Sequence, residues 1–352
     1  MSAADDLAKA ILSVIGESDP ELEVPGYIDT GYEPLNEILT GDPKNGGIPM
    51  GRIVEIFGPS SSGKTWLATQ IMCAAQRMGG VAMFQDHELT FQVPFATRSG
   101  LNDQFPFFIY KRPNTWEESN TMALKAGEAI RKSKKLDPLA PIVVVFDSVA
   151  AMIPKSVFDK GIEDYNMNDT TALARVASTT LKAINQQSAA LNLTIIYLNQ
   201  IRTKPGVVYG DPTTTPGGSA FEFYATHRLA LGKKFIRAKV NGKDEIVGQL
   251  MGVETKKNKL ARPRQEVDLR LQFEDDGMTK VNLTLSLIDH AVAVGKLKKL
   301  STGRVEWVNG NSYPPGQLAD MIDKGGLKPV LLSVMYPDHY PAVAPAPVAA
   351  AA

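Results

Sequence analysis

One stretch, Gly58-Pro59-Ser60-Ser61-Ser62-Gly63-Lys64-Thr65, constrains this chain more than any other. It spells a phosphate-binding loop, and its flanks supply the context that the motif needs. Before it, Arg52-Ile53-Val54-Glu55-Ile56-Phe57 reads as a buried strand; after it, Trp66 to Ala75 carries helix formers at helical period. Such a strand, turn and helix aim backbone N–H groups and the positive end of the helix dipole at a phosphate. Lys64 would reach the β/γ oxygens, and the Thr65 hydroxyl would hold Mg²⁺. The pattern implies a nucleoside triphosphate.

Around that loop the pattern is α/β. From Tyr27 to about His290, strand-like runs alternate with helical stretches, which predicts a mostly parallel central sheet flanked by crossover helices. The clearest strands are 53–57, 81–84, 142–146 and 194–198; 228–231 and 247–253 suggest a hairpin edge. A short N-terminal helix is expected over residues 5–15, followed by an acidic, turn-rich linker over 17–25. The organisation expected is residues 1–24 as N-terminal helix and linker, 25–290 as core, 291–335 as a small separate α+β lobe, and 336–352 as a disordered Pro/Ala-rich tail.

Charge enters here as an exclusion. The 38 Lys and Arg balance 38 Asp and Glu, so no global field draws the chain to a polyanion and any such binding needs local basic clusters. The lone cysteine, Cys73, excludes intrachain disulfides and thiolate zinc sites and reads as a small core residue. The acidic N-terminus lacks a signal-peptide charge pattern, and no apolar run approaches the ~20 residues of a membrane helix. A soluble, cytoplasmic protein without membrane contact is expected.

Three apolar runs end in chemistry. Residues 142–146 lead into Asp147 and Ser148, which favours Asp147 beside Thr65 as a second holder of Mg²⁺ over an Asp that merely caps the next helix, with Ser148 close to the same shell. Residues 81–84 lead into Gln85-Asp86-His87-Glu88, where Glu88 is the preferred base for an attacking water and His87 the alternative. Residues 194–198 lead into Asn199-Gln200, where Gln200 can bond a γ-phosphate and release it on hydrolysis. A long loop to Gly218 follows directly. Arg202 and Lys204 suit phosphates, its hydroxyls and glycine N–H groups suit a nucleic-acid backbone, and a few apolar residues can wedge between bases. It reads as a single-stranded DNA loop, with a generic substrate lid as the alternative. Two basic clusters, one around Lys256, Lys257, Lys259, Arg262 and Arg264 and one at Lys233, Lys234, Arg237 and Lys239, are either solvated runs or further phosphate contacts.

Taken together, these segments resemble the RecA family of recombinases over about residues 29–310. The resemblance is carried by Met50 through the phosphate loop, Phe146-Asp147-Ser148, Asn199-Gln200-Ile201-Arg202, Thr214-Thr215-Pro216-Gly217-Gly218, Phe223-Tyr224-Ala225 and Lys257-Asn258-Lys259. It implies a RecA-like ATPase core with ATP and Mg²⁺ as cofactors, and Glu88 as the catalytic glutamate beside Lys64 and Gln200. It places Gln92 and Phe95 at the adenine, and sends Lys257 and Lys259 to a neighbouring subunit's ATP. Phe223 becomes the aromatic that couples subunits. Arg175, Ser178 and Lys182 match the helix after a first DNA loop; Arg202, Lys204, Val207, Val208, Thr214, Thr215, Gly217 and Gly218 match the second. Pro205 stands where the family has an apolar β-branched wedge, so Val207 or Val208 takes that part. Gly252 and Glu254 replace residues that are basic in bacterial members, a divergence that suits a phage-encoded member.

The activity implied is DNA-dependent ATP hydrolysis coupled to strand exchange in a helical homo-oligomer. The partners implied are single-stranded DNA and homologous duplex DNA, with a single-strand-binding protein or loader besides. The rivals are a ring-forming helicase motor of the same core fold and a nucleotide-gated recombination mediator without strand exchange.

Overall fold

The computed structural model describes residues 3–15, 23–166, 169, 171–203 and 213–343. Among the described residues nine strands build the central sheet: β1 (Ile53–Gly58), β2 (Val81–Asp86), β3 (Phe108–Lys111), β4 (Ile142–Asp147), β5 (Leu193–Gln200), β6 (His227–Val240), β7 (Lys243–Asn258), β8 (Glu266–Phe273) and β9 (Thr279–Val281). Their spatial order is β9-β8-β7-β6-β1-β5-β4-β2-β3. From β6 to β3 every pairing is parallel, and β7, β8 and β9 add an antiparallel wing. The expected α/β class is thus observed.

Alternation along the parallel strands makes two cores. Val54, Ile56, Val143, Val145, Ile196 and Leu198 face one side, where Leu67, Ile71 and Met72 of the helix Lys64–Arg77 cover them. Ile53, Val144, Phe146, Ile195 and Tyr197 face the other, under Trp116, Ala123 and Leu181 of the helices Trp116–Ser133 and Ala172–Ala190. Each large side chain fully buried this way contributes about 1.5–3 kcal/mol. Cys73 is buried in the first layer, as its pattern implied.

The hairpin edge is much longer than the apolar segments suggested. β6 and β7 run for 14 and 16 residues around a turn at Asn241 and Gly242, both at positive φ. Their outer halves are mostly exposed and carry Lys233, Lys234, Arg237 and Lys239, so an apolarity signal misses them. β3, β8 and β9 were also not anticipated.

The region 291–335 is α+β in content but has no core of its own. The helix Leu283–Ala293 runs through residue 290, and Leu297, Trp307, Leu318, Ile322 and Leu331 join the same apolar cluster as Ile28, Leu39 and Val253. Order also continues beyond 335: Tyr336 is buried in that cluster and Tyr340 packs on it. The remainder of the expected tail, 344–352, and residues 16–22 of the expected linker lie outside the described residues. The helix Ala3–Ile15 forms where the sequence places it, with Leu7, Leu12 and Val14 exposed. Among the described residues no helix is long and apolar enough to cross a membrane.

His227, at the start of β6, is fully buried and burial pushes its imidazole down to about 4. The unfolded chain protonates near 6.5, so it binds the extra proton between those values. Stability from this group is therefore complete above about pH 6.5 and lost as pH falls towards 4. Asp147, raised to about 6 by burial, works in the opposite sense over part of that range. The measurement is consequently a difference: between pH 7 and 5 the wild type should lose about 2 kcal/mol more stability than His227→Gln in urea titrations. Equal losses would refute it.

Candidate functional site

Parallel strands bring their carboxyl ends to one edge of the sheet, and every expected catalytic residue lies there. Gly58 is level with Gln200 across β1 and β5, and Asp86 is level with Asp147 across β2 and β4. The phosphate loop leaves β1 and enters its helix through Gly63, whose φ of 96° is the left-handed region. A side chain there would also put its Cβ 2.7 Å from Met251 Sδ. Lys64 Nζ donates to the Gly58 and Pro59 carbonyls at 3.1 and 2.9 Å. Burial pulls its pKa down, while Asp147 and Glu88 pull it up. A second ammonium, Lys233 of the hairpin, donates to Ser60 O at 2.6 Å. Among the described residues Ser62 Oγ is buried without a hydrogen-bond partner.

Thr65 Oγ1 donates to Asp147 Oδ2 at 2.8 Å, so the two residues expected to hold a metal already touch. Desolvation raises the Asp147 carboxyl to about 6, which the positive charge of a divalent cation would reverse. A hydroxyl, a carboxylate, a lysine and a glycine-lined turn at a helix N-terminus are the donor set a Mg²⁺–triphosphate needs.

The structure separates the two candidate bases after β2, Glu88 and His87, and shows what their neighbour Asp86 does. Asp86 is buried and fully used: its carboxylate accepts from the N–H groups of Thr90 (3.3 Å) and Phe91 (3.0 Å) and from the Tyr110 hydroxyl (2.8 Å). His87 Nε2 lies 3.0 Å from Ser119 Oγ, and burial holds its imidazole near 4, hence neutral. Glu88 alone reaches the phosphate-loop edge. Its Oε1 accepts from the Ser148 hydroxyl and, at 3.1 Å, from Gln200 Nε2. Ser148 is therefore directed at Glu88 and sets its position, a part the sequence did not suggest.

Beside the loop helix a cleft of about 290 Å³ is lined by Thr65, Trp66, Gln92, Phe95 and, unforeseen, Gly277 and Met278 of the β8–β9 turn. Gln92 and Phe95 are thus brought to one pocket with the phosphate-loop helix. Arg98 stacks over Phe95, its guanidinium carbon 4.7 Å from the ring centroid.

On the expected DNA side, Arg175, Ser178 and Lys182 share an exposed face of the helix Ala172–Ala190. Arg202 and Thr203 pair with Thr214 and Thr213 in a short antiparallel ladder, which closes the foot of the loop. Lys204, Val207 and Val208 lie outside the described residues, as does Pro205. Thr215 and Gly217 are not surface groups. Thr215 is 5% exposed, and a Cβ at Gly217 would sit 2.6 Å from the Phe221 ring, so both hold the foot of the loop in the core. Gly218 is half-buried against Ala174.

The helix Ala220–Tyr224 faces two ways. Phe221 is buried edge-on against Tyr197, with ring centroids 5.1 Å apart, while Phe223 is 69% exposed. Lys257 Nζ donates to the Glu222 and Phe223 carbonyls and Lys259 Nζ to Phe223 O. Burial, then Lys259 and Arg228, bring Lys257 down to about 8. In the neighbouring basic run, Glu254 pairs with Lys256 and Arg264 at 2.8 and 3.4 Å, which neutralises part of it.

A buried polar cluster escaped the sequence reading. Glu55, fully buried in β1, accepts from Arg228 Nε (2.6 Å) and Asn199 Nδ2 (2.9 Å). The one available signal was a glutamate inside an apolar strand, which must find a partner.

Comparison with known proteins gives the family. The RecA N-terminal domain profile matches residues 8–279. The chain is 40% identical to Protein RecA of Thermus thermophilus over 254 residues, covering 72% of this chain and 69% of the relative. It is 37% identical to Protein RecA of Thermus aquaticus over 312 residues, covering 89% and 83%. With Protein RecA of Blastochloris viridis the identity is 35% over 320 residues, covering 91% and 83%.

Proposed function

This chain belongs to the RecA family of recombinases, and on that footing we propose that it is a DNA-dependent ATPase that pairs and exchanges DNA strands within a helical filament. The observation that carries the proposal is the junction at the end of β5. Gln200 bonds Glu88 on the phosphate-loop side, and two residues later Arg202 opens the ladder of the 202–218 loop. Nucleotide chemistry and DNA contact therefore share one strand end.

In this reading Lys64 and the loop N–H groups bind the triphosphate, and Gln92 and Phe95 receive its base. Thr65 and Asp147 hold Mg²⁺, which neutralises phosphate charge. Glu88, positioned by Ser148, takes the proton of an attacking water, and Gln200 exchanges Glu88 for the γ-phosphate. Arg175, Ser178, Lys182 and the 202–218 loop hold a DNA backbone, so affinity falls steeply with salt. Phe223, with Lys257 and Lys259 from the same edge, meets the next subunit. An interface of this head-to-tail kind propagates as a filament when its rotation does not close.

Electron microscopy with ATP and single-stranded DNA tests the assembly. Helical filaments are expected; closed rings without filaments would instead favour a ring motor of the same fold. Phe223→Ala should raise the protein concentration needed for filaments by on the order of tenfold, as removal of an aromatic interface anchor does. Its outward direction, opposite Phe221, predicts an unchanged melting temperature. Assembly at wild-type concentrations would remove Phe223 from the interface.

A further inference from the structure

The buried cluster around Glu55 links the strand end at Gln200, the foot of the 202–218 loop and the helix that carries Phe223. Arg228 and Glu55 are register partners on β6 and β1, and Asn199 is the register partner of Phe57 on β5. Each group is engaged in several directions. Asn199 Nδ2 donates to Glu55 Oε1 at 2.9 Å and to Pro216 O at 2.9 Å, while its Oδ1 accepts from the Gln200 backbone N–H at 3.0 Å. Arg228 donates through Nε to Glu55 Oε2 at 2.6 Å and through Nη2 to Thr215 Oγ1 at 3.3 Å. Its Nη1 lies 3.5 Å from the Glu222 carboxylate, and its guanidinium stacks 4.9 Å from the centroid of Phe57, the residue before the phosphate loop.

We propose that Asn199 and Arg228 are positioning residues that couple Gln200 to the foot of the 202–218 loop and to the helix of Phe223, with the Glu55 carboxylate as their shared hinge. The inference rests on the reading of Gln200 as the group that senses the γ-phosphate. A shift of the Gln200 backbone must move Asn199 Oδ1, and the same side chain holds Pro216, at the loop foot. Glu55 cannot lose Asn199 without changing its hold on Arg228, because a buried carboxylate has no water to replace either donor. Arg228 in turn touches Thr215 at the loop foot and Glu222 beside Phe223. The coupling is a contiguous chain of hydrogen bonds, charge-assisted at Glu55 and Arg228 and neutral where Asn199 meets Pro216 O and the Gln200 N–H. An apolar cluster of equal volume would pack as well but would transmit nothing of the kind.

The test uses the full-length chain and two variants. Arg228→Lys keeps a cation beside Glu55 but replaces a three-nitrogen fork by one nitrogen, so the branch to Thr215 is lost. Asn199→Leu keeps the branched shape and removes the bridge to Pro216. Melting temperature, ATP affinity, DNA-free turnover and single-stranded-DNA-stimulated turnover are measured for each, with the affinity for DNA in ATP and in ADP. The expected result is that the ratio of stimulated to DNA-free turnover falls by about tenfold, and the ATP-to-ADP ratio of DNA affinity shrinks with it, while ATP affinity is retained. Should Asn199→Leu fail to fold, Arg228→Lys decides the matter alone. Folded variants with both ratios within twofold of wild type would overturn the coupling and leave the cluster as scaffold. A wild-type chain that DNA does not stimulate would overturn the functional reading itself, and the coupling with it.

Discussion

Lys64→Ala is expected to cut ATP turnover about 10²–10³-fold in kcat, the usual cost of removing one preorganised charge from a developing transition state. The structure makes this loss specific. Lys64 Nζ is held by the Gly58 and Pro59 carbonyls, so its charge lies at the mouth of the loop whose N–H groups, in the proposed function, would receive the phosphates. The one other ammonium bonded to the loop among the described residues, Lys233, is engaged by Ser60 O and cannot move into the vacated place without giving up that bond. Folding should be nearly indifferent to the change. The loop helix is anchored by Leu67, Ile71 and Met72, none of which Lys64 supports, so a shift within about 0.5 kcal/mol is expected. Steady-state hydrolysis with and without single-stranded DNA, alongside a thermal melt, checks both halves. Turnover within tenfold of wild type in a folded variant would mean the loop does not bind phosphate as described.

What could be read from the chain and what could not divide along physical lines. Apolar strands that end in a functional side chain announce themselves, because burial forces the run and chemistry ends it. The placement of Asp147, Glu88 and Gln200 at strand ends was legible for that reason, and their strands meet at one edge. Glu88 was already preferred to His87 in the sequence, and the structure adds what no spacing rule reveals: Asp86 is consumed by the Thr90 and Phe91 amides. The β6–β7 hairpin was half-legible, since its outer half buries little and reads as charge. Its contact with the phosphate loop through Lys233 spans 173 residues of sequence, as does the Glu55–Arg228 bond. Long-range polar pairs of this kind leave no local periodicity. Burial of Thr215 and Gly217 was hidden for the opposite reason. A Thr/Gly-rich segment looks like solvent-facing loop until a ring such as Phe221 is found packed against it. The lobe after residue 290 looked separate because its elements are short, yet short amphipathic elements bury themselves on a neighbour's core when they cannot build one.

Glu88→Gln divides hydrolysis from everything that precedes it. Both hydrogen bonds recorded at this side chain, from Ser148 Oγ and from Gln200 Nε2, end on Oε1. A glutamine that keeps its carbonyl oxygen in that place retains both partners, so the edge of the site and its bond to Gln200 survive. What an amide cannot do is accept a proton from water. Turnover should therefore fall by about 10²–10⁴-fold, the contribution of a positioned general base. ATP affinity should stay within a few fold, because Lys64, Thr65 and Asp147 are untouched. If ATP binding orders the filament and hydrolysis loosens it, the variant should bind single-stranded DNA in ATP as tightly as wild type and release it more slowly. Single-turnover hydrolysis and DNA dissociation rates, measured on the same preparation, report the two steps separately. Ser148→Ala supplies the graded comparison: it removes one bond from Oε1 but leaves the carboxylate, so its turnover should lie between wild type and Glu88→Gln. Loss of ATP-dependent DNA binding in Glu88→Gln would place Glu88 in the coupling of nucleotide to DNA rather than in the proton transfer, and the assignment of Gln200 as its exchangeable partner would fall with it.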